Sequence, residues 1–451
     1  MHKPMLPTLV DQAPEQKDWQ YEIKYDGFRC GIEWKKNDIR LWSRNGRDLS
    51  STFPEIINWC NNYQDNVSHS LPLWLDGELV ILRTPYQAIF SMIQQRGRLR
   101  SQTKIKQACV NRPASFICFD LLEHQAIDIS KKTFHQRRKQ LEDLFQHVEA
   151  SSFQLVESFT SLANIQKIVD LHQSEGIVAK HTRSTYDQGK RTRQWLKVKN
   201  YRTIQGVITG WNQHNDYIDI SVKARQEWRP IGKVKHGFTD QEKQTVIQFI
   251  QKHGTKINQH QWKVPNTVCL DIDCLDVRKE EIREATFRQF RFDIEPEDCT
   301  EQKLQSELMQ FPKEMEVTKP NKLLFPHHTK RDYLYYLREI APLLLPHLQN
   351  KRLTMIRYPD GIHGHSFYQK HVPDYAPHDI ESVAGEDGVQ DILCNDLRSL
   401  LWFGNHAALE FHVPFQTIDE KYPNEMVFDL DPPSRNEFPY AIKPPDSLKR
   451  W

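Results

Sequence analysis

A lysine at the end of a short alternating run is the feature that most constrains the fold of this chain. Trp19, Tyr21 and Ile23 alternate with polar residues, which is the pattern of a half-buried strand. Lys24 follows at the strand end, and an Asp-Gly pair at residues 26–27 then turns the chain. A lysine among apolar neighbours is partly desolvated, which favours the neutral, nucleophilic amine. Lys24 is therefore a candidate covalent catalyst, and a surface lysine on an edge strand is the alternative.

Length and composition indicate an intracellular protein of two or three domains. A chain of 451 residues is long enough for several hydrophobic cores, and its net charge of +2 does not by itself indicate nucleic acid. None of the eight cysteines form a Cys-x-x-Cys pair, which argues against zinc and favours a reducing cytoplasm. The N-terminus lacks an apolar signal core, and no stretch is long enough to span a bilayer. We expect a cytoplasmic protein with no membrane partner.

Two local basic runs suit a nucleic-acid backbone better than the total charge does. The first spans residues 96–106, and the second spans residues 183–202. Clustered lysines and arginines of this kind neutralise phosphates. A solvated face or a flexible loop is the alternative for each run taken alone.

Residues 1–200 are predicted to form one α/β domain of packed, mostly antiparallel sheets with helices outside. Thr133 or Ser130 is expected to cap the second helix. The strand-like runs are residues 21–23, 39–42, 73–82, 115–122 and 176–179, and the helical runs are residues 53–60, 134–147 and 162–172.

Residues 201–293 are predicted to form a second, strand-rich domain, for which a small β-barrel is the natural fold. A polar, acidic stretch at residues 294–316 is typical of a linker, and a third unit is expected over residues 317–451. The second domain's strand-like segments are residues 205–211, 217–222, 229–234 and 267–275, with one helix over residues 241–253.

Two lysines and two glutamates form further candidate groups. Lys197 and Lys199 alternate on one strand, so both point to the same face, where two cations suit phosphate oxygens. Glu78 and Glu175 each adjoin a glycine in an apolar strand context, and their carboxylates are hard oxygen ligands suited to Mg²⁺. A basic surface strand and turn-exposed glutamates are the alternatives.

Six elements in a fixed order resemble the nucleotidyltransferase motifs of ATP-dependent DNA ligases, which covalent RNA ligases and capping enzymes share. The resemblance covers about the first 300 residues and is closest to the ligase part of bacterial end-joining ligases of the LigD type. It implies an adenylation domain followed by an OB-fold. The elements are residues 22–29, 43–46, 75–79, 116–120, 174–180 and 195–199.

This resemblance implies roles for individual residues around ATP. Lys24 would attack the α-phosphorus, and Glu22 would read the adenine edge through its backbone or side chain. Arg29 and Arg44 resemble the arginines that hold the ribose and the nucleotide or DNA phosphate, for which a guanidinium fork is suited. Phe119 resembles the aromatic residue that stacks on adenine; a core phenylalanine is the alternative.

The remaining implied roles concern the phosphates and a metal ion. By resemblance Glu78 contacts the ribose and also meets metal, while Glu175 is the firmer metal ligand. Lys197 and Lys199 would contact the phosphates. Arg283 belongs to a short final motif and would orient the departing pyrophosphate; the family has proline where this chain has Ala285.

Residues 317–451 resemble the first part of the primase-type polymerase domain of end-joining ligases. Asp429 and Asp431 alternate on an expected strand, so both face one way and can hold the metals of nucleotidyl transfer. Residues 443–451 look unlike the family's continuation, so we expect an incomplete domain without polymerase activity. Histidines 327, 328, 363 and 365 lack a matching ligand set and are interpreted as ordinary polar residues.

Together these features predict an ATP-dependent DNA ligase that seals nicks and double-strand breaks through a lysyl-AMP intermediate in non-homologous end joining. The resemblance implies Mg²⁺ or Mn²⁺, nicked or broken double-stranded DNA, a Ku-like end-binding partner and a nucleoid location. Another lysine nucleotidyltransferase, of the RNA ligase or capping type, is one alternative. A non-catalytic DNA-end-binding scaffold is the other.

Overall fold

The computed structural model describes residues 2–146, 148, 152–312, 315–385, 388–427 and 429–439. The chain divides into two compact units, Met1–Lys313 and Glu314–Trp451. Residues 1–200 and 201–293, which the sequence predicts as separate domains, therefore lie in one unit. Phe428 and residues 443–451 lie outside the described part of the chain.

The first two hundred residues alternate strands and helices. The strands are β1 (Leu6–Leu9), β2 (Trp19–Ile23), β3 (Phe28–Lys35), β4 (Asp38–Ser43), β5 (Leu73–Val80), β6 (Leu82–Thr84), β7 (Gln87–Ala88), β8 (Ser115–His124), β9 (Ile127–Asp128), β10 (Phe153–Leu155), β11 (Ser158–Phe159), β12 (Gly176–His181) and β13 (Arg191–Lys199). The helices are α1 (Pro54–Asn62), α2 (Gln64–Val67), α3 (Phe90–Gly97), α4 (Gln102–Asn111), α5 (Phe134–Phe145) and α6 (Leu162–His172).

Two sheets organise these elements, and they are mostly antiparallel as predicted. A five-stranded sheet has the order β1-β13-β12-β2-β11, and a six-stranded sheet has the order β10-β8-β5-β3-β4 with β9 beside β8. The pairs β1–β13 and β8–β10 are parallel. Apolar residues on β3, β5 and β8 alternate inward, and Trp34, Phe53 and Phe116 are fully buried in the largest core.

Helix α5 is fixed to strand β8 by charge as well as by apolar packing. The Arg137 guanidinium donates two hydrogen bonds of 2.8 Å to the Asp120 carboxylate, and both side chains are fully buried. Thr133 caps the helix in a capping box with Gln136, which confirms one of the two predicted caps. Asp120 follows Phe119 directly, so this ion pair also positions one wall of the site described below.

The rest of unit 1 is a strand-rich layer. Its elements are β14 (Arg202–Asn212), β15 (Tyr217–Ala224), β16 (Glu227–Val234), α7 (Asp240–His253), β17 (Thr255–Lys256), β18 (Gln261–Lys263), β19 (Cys269–Cys274), β20 (Asp276–Arg278), β21 (Glu281–Arg283), β22 (Thr286–Arg291) and α8 (Glu301–Met309). Seven strands pair in one sheet, in which β14 contacts β15, β18 and β19. No pairing among the described strands closes this sheet into a barrel, although the sequence predicts one.

The segment predicted as a linker contains a packed helix, so that prediction is wrong for residues 301–309. Thr300 caps α8, and Leu304 is buried in the core of the seven-stranded sheet. Glu307 accepts a hydrogen bond of 2.9 Å from the Gln205 backbone amide. Leu304 and the partly buried Leu308 pack the helix against this core. Two apolar residues in a polar stretch do not change its composition enough to predict a packed helix.

The described part of unit 2 contains a helix of 19 residues, a helix of 9 residues and short strands. They are β23 (Leu323–Phe325), β24 (His328–Thr329), α9 (Lys330–Leu348), β25 (Thr354–Arg357), β26 (Phe367–Gln369), β27 (Ser382–Ala384), β28 (Gln390–Ile392), α10 (Leu397–Asn405) and β29 (Ala408–His412). Strand β25 lies between β26 and β29 in a three-stranded sheet. Across the described ranges of both units, no helix combines the length and apolar character needed to cross a membrane.

We predict that Arg137→Met lowers the free energy of unfolding by about 3–5 kcal/mol, because it leaves the buried Asp120 carboxylate without a counter-charge. Chemical denaturation followed by tryptophan fluorescence measures the change. The control Lys35→Met removes an exposed lysine and should have no measurable effect. The double variant Arg137→Met/Asp120→Leu should regain most of the loss, and a double variant as unstable as the single one would contradict the assignment.

Candidate nucleotide-binding site

One cavity in unit 1 brings most of the predicted site residues together. Seven of the ten residues predicted around ATP and its metal line it, which are Glu22, Lys24, Arg29, Arg44, Glu78, Phe119 and Lys197. Val178, Lys180, Arg191 and Trp195 complete much of the wall. The cavity therefore combines an amine, carboxylates, arginines and aromatic rings, which is the mixture that a nucleotide requires.

Lys24 is held beside Glu175 by the pairing of two strands. Strand β12 pairs antiparallel with β2, and the Lys24 amide donates to the Gly176 carbonyl at 2.9 Å. Gly176 has φ +152°, and a Cβ atom there would lie 2.0 Å from the Val198 carbonyl oxygen. Only glycine fits this close approach, so it fixes where the neighbouring Glu175 side chain begins.

The Lys24 amine donates a 2.5 Å hydrogen bond to Glu175 Oε2. Burial lowers the pKa of Lys24, but the carboxylates of Glu175, Glu78 and Asp26 raise it by more, so the net pKa is raised. This net direction is opposite to the one expected from desolvation alone. The sequence showed the apolar neighbours of Lys24 but not the carboxylate 151 positions away that reverses their effect.

Glu22 and Lys180 form a buried ion pair at one end of the cavity. Lys180 Nζ lies 2.6 Å from Glu22 Oε2, and both side chains are almost completely buried. The second oxygen of Glu22, Oε1, is buried without a hydrogen-bond partner among the described residues, although Arg138 Nη1 lies 3.9 Å away. Burial raises the pKa of Glu22 and lowers the pKa of Lys180. An unpartnered buried acceptor in a cavity wall indicates a ligand that donates a hydrogen bond there.

Lys180 is also surrounded by aromatic rings. Its Nζ lies 4.3 Å from the ring centre of Trp195 and 4.7 Å from that of Phe119. Its amine donates to the Phe119 carbonyl at 3.2 Å. These contacts keep a desolvated cation at the apolar end of the cavity and fix the backbone that carries Phe119.

Arg29 is fixed by a buried carboxylate. Its guanidinium donates hydrogen bonds of 2.7 and 2.6 Å to Asp76, and Tyr186 donates to the same carboxylate at 2.5 Å. The Arg29 Cζ atom lies 4.4 Å from the Phe119 ring centre. Burial lowers the pKa of Arg29, but Asp76, Tyr186 and Glu78 together raise it by more. The arginine is therefore a permanent cation whose position beside Phe119 is set before any ligand arrives.

The two alternating lysines of β13 have different partners. Lys197 lines the cavity, and its pKa is lowered by burial and by the nearby cations Lys199, Lys24 and Arg191. Lys199 does not line the cavity; its Nζ lies 3.7 Å from Glu175 Oε1 and contacts the Glu284 carboxylate. Both lysine side chains lie on the face of β13 that is near Lys24 and Glu175, as their alternation along the strand predicts.

Glu78 and Glu175 are two carboxylates near Lys24 whose oxygens could bind a metal. Burial raises the pKa of Glu78 to about 8, against the opposing effect of Arg29 and Lys24. Burial likewise raises the pKa of Glu175. The described residues contain no cluster of three or more histidine, cysteine, aspartate or glutamate side chains suited to a metal. Mg²⁺ is commonly held by one or two carboxylates together with substrate phosphates and water, so the pair fits a metal that arrives with ATP.

Arg283 reaches this region from the hairpin of β20 and β21. Its guanidinium forms a bidentate ion pair with Asp26, two residues after Lys24, with one of the two bonds at 2.8 Å. Its Cζ atom lies 4.6 Å from the Phe90 ring centre, and Arg278 on the same hairpin donates to the Ser91 hydroxyl at 2.6 Å. The hairpin thus docks the strand-rich layer against the nucleotide cavity.

The basic runs are only partly available to DNA. Arg96 is buried and paired with Glu55 at 2.9 Å, so it cannot contact a phosphate backbone. Arg202 is also occupied, donating to the backbone carbonyls of Leu275 and Leu308. Arg44 is exposed at the cavity rim and remains suited to a phosphate.

Asp429 and Asp431 lie in unit 2 and are not among the residues that line the cavity of unit 1. Both are exposed, and no strand is present over residues 429–433. The predicted strand is therefore wrong for this described segment, which has no β-pairing partner to hold its backbone extended.

Comparisons with known proteins agree with this geometry. Residues 4–199 match the family described as ATP dependent DNA ligase domain, and residues 329–449 match the LigD primase-polymerase domain. A bifunctional non-homologous end joining protein LigD of Bacillus subtilis is 36% identical over 99% of this chain and 75% of that protein. The chain belongs to the LigD family. The predictions of this family, of a mixed α/β fold class and of a DNA ligase are confirmed.

Other relatives of this LigD-family chain are more distant. A multifunctional LigD of Pseudomonas aeruginosa is 24% identical over 95% of this chain and 54% of that protein. The ligase domain of Mycobacterium tuberculosis LigD, a solved structure, is 24% identical with a TM-score of 0.40 and covers 66% of this chain and 98% of that chain. The chain thus spans three quarters of one curated relative and about half of the next.

Sequence reasoning missed several residues of the LigD-family cavity. Lys180 and Trp195 stand inside the quoted motifs, but neither was assigned a role. A lysine inside the apolar strand β12 was a usable signal, because a buried lysine requires a partner. The pairing of Asp26 with Arg283 had no local signal, since 257 residues separate them.

We predict that Asp26→Asn weakens docking of the β20–β21 hairpin, because it removes the charge that holds Arg283. Hydrogen exchange of the backbone amides in residues 276–283 should accelerate about 3- to 10-fold, with the amides of β14 unchanged. Asp38→Asn, which removes an exposed carboxylate, is the control. Unchanged exchange in the hairpin would show that other contacts hold it.

Proposed function

We propose that this LigD-family ligase works through a covalent Lys24–AMP intermediate and joins nicked and broken DNA ends in non-homologous end joining. The observation that carries the proposal is the Lys24 amine in a cavity wall with the cations and rings that suit ATP, hydrogen-bonded to Glu175. Covalent catalysis by lysine requires an amine that can lose its proton next to a bound electrophile.

In the first step the Lys24 nitrogen attacks the α-phosphorus of ATP. A nitrogen–phosphorus bond forms, the bond from the α-phosphorus to the bridging oxygen breaks, and pyrophosphate leaves. Lys24 must first give up a proton, and Glu175 Oε2 at 2.5 Å is the nearest acceptor. Arg29 and Phe119 orient the nucleoside while this exchange occurs.

The free oxygen of Glu22 supports recognition of adenine. Adenine presents an exocyclic amino group, which donates hydrogen bonds, whereas guanine presents a carbonyl oxygen at the corresponding position. Glu22 Oε1 is a buried acceptor without a hydrogen-bond partner among the described residues, and the nearby Arg138 Nη1 lies 3.9 Å away. It would accept from adenine and repel guanine, and Lys180 would supply the charge that keeps the carboxylate ionised.

Cations around Lys24 suit the phosphates. Lys197, Lys199 and Arg283 would neutralise the triphosphate and the leaving pyrophosphate. Glu78 and Glu175 would hold Mg²⁺ or Mn²⁺. A divalent cation there would neutralise both carboxylates and so lower the pKa of the Lys24 amine.

The later steps require DNA. AMP moves from Lys24 to the 5′-phosphate at a break, and the 3′-hydroxyl then attacks that phosphate and releases AMP. Arg44 at the cavity rim would contact a nucleotide or DNA phosphate. We infer a Ku-like end-binding partner and a nucleoid location from family membership. In unit 2, Asp429 and Asp431 remain proposed metal ligands, although the described segment has no strand that would point both carboxylates the same way.

We predict that Lys24→Ala abolishes the covalent AMP adduct that the parent forms with ATP labelled at the α-phosphorus. Denaturing gels and intact mass measure the adduct, and a nicked duplex then tests transfer and sealing. Lys35→Ala removes an exposed lysine of the same domain and should retain the adduct.

Pyrophosphate added to fresh enzyme distinguishes an inactive protein from one purified already adenylated, because the reverse reaction releases ATP. A parent protein that forms no adduct and releases no ATP would overturn the proposed function. An adduct that persists in Lys24→Ala would place the nucleophile elsewhere.

We predict that Lys180→Met reduces discrimination between ATP and GTP about tenfold or more, because Glu22 loses the counter-charge that keeps it an acceptor. Single-turnover adduct formation with each nucleotide measures the ratio. Lys180→Arg retains the charge and should largely retain the preference.

The double variant Lys180→Met/Glu22→Gln removes both buried charges and guards against misfolding of the single variant. Glutamine presents either an oxygen or an amino group, so this variant should also lose discrimination. An unchanged ATP-to-GTP ratio in a folded double variant would contradict the role of Glu22.

A further inference from the structure

The Glu284 carboxylate is bonded to Lys199, a lysine that would bind phosphate in the proposed site. It follows the β20–β21 hairpin with φ +55°, in the left-handed region that non-glycine residues adopt uncommonly. One of its oxygens accepts from Lys199 Nζ at 2.5 Å, and the other contacts the same nitrogen. Tyr201 also donates to Glu284, at 3.1 Å.

The contact belongs to a continuous line of alternating charge. Lys24 is bonded to Glu175 at 2.5 Å, Glu175 lies 3.7 Å from Lys199, and Lys199 is bonded to Glu284. Arg283, the preceding residue, is anchored on Asp26. The hairpin therefore delivers an arginine and a glutamate to neighbouring points beside the catalytic lysine.

An arginine at this point attracts a triphosphate, but a carboxylate repels it. Lys199 is 7% exposed, so a second anion has little room to bind it while Glu284 remains in contact. Phosphate oxygens and a carboxylate compete for the same ammonium hydrogens, because both are charged acceptors. Glu284 is 41% exposed and therefore has open solvent into which it can move.

We propose that Glu284 is an internal competitor for the phosphates of ATP at Lys199. The inference rests on the proposed function. ATP displaces the Glu284 carboxylate from Lys199 when it binds, and the carboxylate returns to Lys199 as pyrophosphate leaves. Glu284 thereby weakens ATP binding but also limits rebinding of pyrophosphate, which favours the forward direction of adenylation.

Glu284→Gln tests this because glutamine has nearly the same shape and loses the negative charge. In single-turnover adenylation, the concentration of ATP at half-maximal rate should fall about 3- to 10-fold, as for one partly exposed charged contact. The concentration of pyrophosphate that half-saturates the reverse reaction should fall by a similar factor. Sealing of nicked DNA by enzyme that is already adenylated should not change, because neither ATP nor pyrophosphate takes part.

Two further variants make the result decisive. Glu281→Gln neutralises an exposed carboxylate of the same hairpin and should leave both concentrations unchanged. Glu284→Asn keeps a residue that tolerates the left-handed backbone and should reproduce the effect of Glu284→Gln if glutamine disturbs folding.

A role for Glu284 limited to fastening the hairpin predicts the opposite result. Both half-saturating concentrations would then rise or stay unchanged in Glu284→Gln, and the proposal would be overturned. A parent protein that forms no Lys24–AMP would instead overturn the proposed function, so the two failures are distinguishable.

Discussion

The antiparallel pairing of β2 with β12 is the constraint on which the nucleotide cavity depends. It brings Lys24 to Gly176 across 152 positions of sequence, and the absence of a side chain at Gly176 allows the close approach. Glu175 is then placed within hydrogen-bonding distance of Lys24 by chain connectivity alone. The same pairing sets Glu22 opposite Val178, two positions before the buried Lys180. One strand pair thus places both the Lys24–Glu175 pair and the Glu22–Lys180 pair.

The two ends of the cavity differ in the charges that line them as well as in shape. At the end of the cavity with Glu22 and Lys180, both side chains are deeply buried, and burial shifts both pKa values towards the neutral forms against the attraction between the two charges. At the end with Lys24, the carboxylates of Glu175, Glu78 and Asp26 outweigh desolvation and raise the pKa of the lysine. Under the proposed function, a divalent cation that arrives with ATP would offset these carboxylates and lower the pKa of Lys24 again.

Local patterns predicted the elements of this fold better than the contacts between them. The helical period over residues 162–172 matches α6, and the alternation around Tyr21 matches β2. Strand β3 went unpredicted because its pattern follows directly on the Asp-Gly turn. The packing of α8 and the pairing of Arg283 with Asp26 depend on residues distant in sequence, which no local period contains. The order of the motifs predicted most of the residues that line the cavity. The raised pKa of Lys24 could not be predicted, because it depends on carboxylates that only the fold brings close.

The hairpin of β20 and β21 links these electrostatic features to the conformation of unit 1. Two ion pairs connect it to the rest of the unit, Arg283 with Asp26 and Glu284 with Lys199. The loop supplies the cation in the first pair and the anion in the second. Under the proposals above, a bound triphosphate would compete with Asp26 for Arg283 and with Glu284 for Lys199, so ligand binding would change both contacts of this loop. Because neighbouring residues respond in opposite directions, the loop is sensitive to whether phosphate is present. A hairpin bearing two arginines at this point would bind ATP more tightly, but it would also retain the pyrophosphate that adenylation must release.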